Sequence, residues 1–166
     1  MIYFYVTLLI LSSILIVFAT QVMKLFRLKQ EQKKRVKNYQ ELHRMTDSEL
    51  LLFKNEMAEA KSTILGIEKV IKDVPSLEKN EVISNTLMES KSIFNQLMEN
   101  PRDLTQYDNF LYRNLPTLHL LLSKYVEQSD STEELLHLIG QNINQDYEKL
   151  LKTKQADINM AKEFIK

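Results

Sequence analysis

The chain has 166 residues, 22 Lys/Arg against 22 Asp/Glu, no cysteine, two glycines and three prolines. Without cysteine there is no disulfide framework and no Cys-based metal site or nucleophile, and two glycines leave little material for hairpins or phosphate-cradling loops. The zero net charge hides a division: residues 24–44 carry eight Lys/Arg against two Glu, a net +6, and residues 45–166 carry fourteen against twenty, a net −6.

Residues 1–23, MIYFYVTLLILSSILIVFATQVM, contain no charged side chain. A helix of that length, rising about 1.5 Å per residue, spans the roughly 30 Å hydrocarbon layer, so a single transmembrane anchor is expected. A cleaved signal peptide is the competing reading, with Val17-Phe18-Ala19 as its cleavage site, but the basic n-region is missing and the charges lie on the wrong flank. Lys24, Arg27, Lys29, Lys33, Lys34, Arg35 and Lys37 follow the apolar run directly. By the positive-inside bias they place the N-terminus outside the cell membrane and the body in the cytoplasm. The same seven residues would lie against anionic headgroups, or do no more than fix topology. Residues 24–45 read as a basic juxtamembrane stalk.

Residues 46–166 read as helical. Thr46-Asp47-Ser48-Glu49 has capping-box spacing. Leu50, Phe53, Met57, Ala60, Ile64, Ile67, Ile71 and Val74 then alternate in steps of three and four, the pattern of a helix packed along one seam. The helix should stop where Val74 precedes Pro75. A second helix is expected over about 76–100, with Ile83, Leu87, Ser90, Phe94 and Leu97 on one face and Val82, Ile93 and Met98 widening it. A third region starts near Asp103 and carries Leu104, Tyr107, Phe110, Leu111 and Leu115. Pro116 then divides it into two helical pieces, because proline suits a first turn, and Leu118, Leu121, Leu122 and Tyr125 resume the spacing. Ser131 and Glu134 are spaced as a second capping box. A long last helix is expected to bury Leu135, Ile139, Ile143, Tyr147, Leu150, Ile158, Ala161 and Ile165.

Helices with partial apolar stripes bury them against one another, so an all-α antiparallel bundle with coiled-coil character is expected. The alternative pairs the Leu50–Val74 seam with a second copy. No chemistry is named by a motif. His43, His119 and His137 lack a ligand partner at i+3 or i+4, and neither a nucleophile with its charge clamp nor a two-metal cluster is spelled out. Arg113, His119 and Tyr125, around the proline, are weak candidates for an anion site. No catalytic residue, metal or cofactor is assigned. Nucleic acid is excluded as a partner by the acidic body; a lipid bilayer and a protein partner, or self-association through helical seams, are expected instead.

The segments "NFLYRNLPTLHLLLSKYVE" and "STEELLHLIGQNINQDYEKLLKTKQADINMAKEFIK" resemble the XpaC-like family of 5-bromo-4-chloroindolyl phosphate hydrolysis proteins. The resemblance rests on the Tyr112-x-x-Leu115-Pro116-Thr117 step, Leu121, Leu122 and Tyr125, Glu133-Glu134, Tyr147 with Leu150 and Leu151, and Asp157-Ile158, over about residues 105–166. It implies a bacterial, often membrane-anchored helical protein associated with toxic-anion (tellurite) resistance, and it brings no catalytic residues. Two functions follow: a membrane-anchored interaction or scaffold protein, or a phosphate-ester hydrolase or its accessory.

Overall fold

The structure is a computed structural model that describes the backbone of residues 2–125 and 131–164 and the side chains of residues 18–125, 133–160 and 162–163. The chain divides into two compact units, Met1–Asp47 and Ser48–Lys166. Among the described residues there is no strand. The helices are α1 (Ile2–His43), α2 (Asp47–Asp73), α3 (Pro75–Glu78), α4 (Glu81–Glu99), α5 (Leu115–Tyr125) and α6 (Ser131–Phe164), with a 3-10 segment at Pro101–Tyr107 and a π-helical turn at Phe110–Asn114.

The first unit corrects the expected membrane anchor. Among the described residues no helix is long and apolar enough to cross a membrane. The side chains of residues 1–17, most of the apolar run, lie outside the described residues. The rest of α1 cannot supply a span of about 20 apolar residues, because Lys24, Arg27, Lys29, Lys33, Lys34, Arg35 and Lys37 break it and all seven are exposed. Arg44 closes α1 with a positive φ of 51°, and Gln40 Nε2 donates to Asp47 Oδ1 at 2.7 Å across the turn.

In the second unit, α2 begins directly after Thr46 and buries most of the expected stripe: Phe53, Met57, Ala60, Ile64, Ile67 and Ile71 are all in the core, and Leu50 and Val74 at its two ends are half-buried. That stripe is used inside the chain, so the alternative of a seam shared with a second copy does not hold. At the end of α2, Val74 is extended (φ −123°, ψ 99°) and Pro75 opens α3, as the restriction on a residue before proline requires. Asn80 then caps α4, its side chain accepting from the Val82 and Ile83 amides at 3.0 and 3.3 Å.

Cross-contacts fix the helix directions. The Tyr112 hydroxyl faces Glu56 and His119 sits against Gly66, so α2 and α5 run the same way. Thr86 lies at Gly140 and Glu89 at Asn144, so α4 and α6 also run the same way. Asn114 meets Asp146 and Tyr125 meets Glu133, which makes α5 and α6 antiparallel. Within this second unit α2, α4, α5 and α6 therefore alternate in direction, and Glu68 of α2 is ion-paired with Lys91 of α4.

Three details differ from the sequence reading. Helix α4 buries Thr86, Glu89, Ser90, Ile93 and Gln96 beside Ile83 and Leu97, while Leu87 and Phe94 are only half-buried. On α6, Leu136 is buried and Leu135 is 49% exposed, and Ile158 is exposed as well; Tyr147 is half-buried, and the Ser131, Ala161 and Ile165 side chains lie outside the described residues. Pro116 lies in the first turn of α5, as expected, but the piece before it is a π-helical turn that joins α5 without a break. The helical run passes through the proline from Asp108 to Tyr125, and the Leu115 amide donates to the Phe110 carbonyl five residues back. A proline ring in a regular helix clashes with the carbonyl four residues before it and lacks a donor; a wider turn just ahead of the ring lets the helix continue.

Candidate functional site

Polar residues inside the bundle are the least expected feature of its chemistry, and they gather where α4 and α6 meet. Thr86 Oγ1 donates to the Val82 carbonyl at 2.8 Å and Ser90 Oγ to the Thr86 carbonyl at 2.7 Å. Hydroxyls satisfied on their own helix in this way can be buried at small cost. Gly140 is required opposite them, since a Cβ there would stand 2.9 Å from Thr86 Oγ1. The close approach opens into a groove of about 520 Å³ lined by Val82, Asn85, Thr86, Glu89, His137, Gly140, Gln141, Asn144 and Gln145. Asn144 Nδ2 donates to Glu89 Oε1 at 2.7 Å. One step further along α6, Asp146 accepts from Asn114 Nδ2 at 3.3 Å and from Lys149 Nζ at 2.9 Å. Gln96 Oε1 is buried without a hydrogen-bond partner.

The residues proposed around the proline go to three separate places. Arg113 is exposed on the π turn. His119 is half-buried where α5 crosses α2, over Gly66, whose missing side chain makes room for the imidazole. Tyr125 closes the end of the bundle, its hydroxyl donating to Glu133 Oε1 at 3.2 Å; that hydrogen bond first, then burial, raises its pKa above 10.0. Steps of six residues along a helix separate such side chains by about 9 Å and roughly a third of a turn, so the three do not converge on one anion. Of the other histidines, His43 packs against Tyr39 with ring centroids 4.4 Å apart and ring planes tilted by 52°, and His137 lines the groove. Among the described residues no group of three or more His, Cys, Asp or Glu could hold a metal ion.

Sequence reasoning missed Glu89, Asn114, Asn144 and Asp146. A signal for the first is present: Thr86, Glu89 and Ile93 follow Ile83 at steps of three and four.

The family model described as 5-bromo-4-chloroindolyl phosphate hydrolysis protein matches residues 1–161. The chain belongs to this family. The match takes in nearly the whole length, well beyond the last third on which the resemblance was seen, so the helices before residue 105 are as much part of this XpaC-like family's pattern as Pro116 and its surroundings. The family's description speaks of halogenated indolyl phosphate hydrolysis and says nothing of membrane anchoring or toxic-anion resistance. No curated protein and no solved structure matches the chain.

Proposed function

We propose that this chain is a helical interaction protein that serves the hydrolysis named in its family's description as an accessory, without performing the bond cleavage on its own side chains. The observation that carries this reading is the dispersal of Arg113, His119 and Tyr125: one exposed, one wedged on Gly66, one tied to Glu133. Phosphoryl transfer is mostly positioning and charge stabilisation around one phosphate. The polar groove is no substitute, because its lining has a carboxylate and no Lys or Arg. A dianionic ester would be repelled there.

The family's name favours a second reading, in which the chain is itself a phosphoric ester hydrolase. Cells lacking the chain separate the two when supplied with either the wild type or the Arg113→Ala/His119→Ala double variant at matched levels. The accessory reading expects both to restore hydrolysis of 5-bromo-4-chloroindolyl phosphate equally. Loss of hydrolysis with a folded double variant would favour the enzyme.

A further inference from the structure

Among the described residues two carboxylates are nine-tenths or more buried, and they are treated differently. Asp146, 5% exposed, has both an amide donor, Asn114, and a cation, Lys149. Glu89, 9% exposed, accepts from the neutral amide of Asn144 and has no ion-pair partner among the described residues. A single neutral amide leaves most of this carboxylate's acceptor positions unused within the bundle, and its second oxygen is not sealed from solvent, so it is open to a further donor. Glu89 also lines the open groove, where Asn85, Gln141 and Gln145 add amide oxygens and no Lys or Arg competes.

The chemistry that fits is a guanidinium or ammonium on a long apolar stem. Its donors would reach Glu89 and the amide oxygens, and the stem would lie along Val82. Within the chain such groups are densest in one segment, with eight Lys/Arg in residues 24–44 against fourteen spread over residues 45–166. The two stretches carry net charges of +6 and −6, and the basic side chains of α1 are exposed on one long helix.

We infer that the α4–α6 groove is a docking site for a second copy of this chain, with a Lys or Arg side chain from residues 24–44 of that copy entering it to pair with Glu89. The inference rests on the interaction-protein reading and supplies that reading with a surface and a partner. Opposite charge on the two segments steers the encounter, and the groove gives it register.

Sedimentation velocity of the full chain tests it. The expected result is concentration-dependent self-association that weakens when salt rises from about 0.05 M to about 0.5 M, where surface charges are screened within a few Å. Glu89→Gln keeps an acceptor for Asn144 and removes the charge; it should weaken association about tenfold, as expected for losing a hydrogen bond to a charged group. Glu148→Gln, at an exposed position of the same helix, should leave it unchanged. Replacing Lys33, Lys34 and Arg35 together by Gln should reproduce the Glu89→Gln effect. A monomer at every concentration overturns the inference, and so does association that Glu89→Gln leaves intact. Neither result bears on whether the chain turns over a phosphate ester, so the underlying reading stands or falls by its own assay.

Discussion

Gly66→Ala should destabilise the bundle, although the same change stabilises an ordinary helix. A Cβ built on Gly66 would lie 2.6 Å from His119 Nε2, 3.0 Å from Cε1 and 3.2 Å from Cδ2. Alanine in a helix interior is favoured over glycine by about 1 kcal/mol, and forcing one extra carbon into a packed contact costs roughly 1–3 kcal/mol. The imidazole is half-buried and its ring is the far end of a rotatable side chain, so the net loss should be about 0–2 kcal/mol. The diagnostic is the sign. In a His119→Ala background the obstruction is gone, and Gly66→Ala should raise stability by about 1 kcal/mol, giving a coupling between the two positions of about 1–3 kcal/mol. Urea unfolding of the four proteins, followed by circular dichroism and tyrosine fluorescence, measures it. If Gly66→Ala stabilises the wild type as much as the His119→Ala protein, His119 does not occupy the space that Gly66 leaves, and its assignment as a packing residue fails.

The remaining predictions concern the polar seam and the caps. Gln96→Met should raise stability by about 1 kcal/mol in urea unfolding, because it removes a buried acceptor that has no partner at similar volume; a loss would show that Gln96 Oε1 is satisfied. Asn80→Ala removes the two cap bonds of α4 and should cost about 1 kcal/mol, whereas Asn80→Asp should retain most of the wild-type stability. Tyr107 is buried, and burial first, then Asp103 and Asp146, hold its pKa above 10.0. A group whose folded pKa is raised keeps its contribution below the unfolded value and loses it as pH rises through the folded one, so stability should fall above pH 10.0. Tyr107→Phe should reduce that slope in alkaline unfolding curves; an unchanged slope would assign it to other groups.

The legible parts of the fold were those where one rule acted alone. The α2 stripe from Phe53 to Ile71 is aliphatic and aromatic at unbroken three-four spacing, and Val74-Pro75 admits only one local solution. On α4 the expected face, Ile83, Leu87, Ser90, Phe94 and Leu97, follows the apolar residues. The structure buries Thr86, Glu89, Ile93 and Gln96 instead of Leu87 and Phe94: Thr86 and Ser90 are satisfied by carbonyls of their own helix, and Glu89 meets Asn144, a cross-helix contact that local spacing does not reveal. On α6, Leu135 and Leu136 are adjacent leucines, and the groove partners on α4 decide between them. The π turn before Pro116 has no propensity signature. It answers a steric conflict between the ring and the Tyr112 carbonyl, which has a second solution, ending the helix. The candidate site failed for a related reason. Arg113, His119 and Tyr125 are close in sequence, and a continuous helix is what holds them apart. The apolar run at residues 1–23 was the strongest signal by composition, and the described part of α1 does not extend it into a membrane span.

Whether the chain acts as an accessory or cleaves the ester itself is decided by incubating purified full-length protein with 5-bromo-4-chloroindolyl phosphate, with Arg113→Ala and His119→Ala alongside. The proposed accessory role predicts colour formation no faster than in the protein-free blank for all three. Turnover by the wild type that disappears in the folded Arg113→Ala and His119→Ala variants would contradict it.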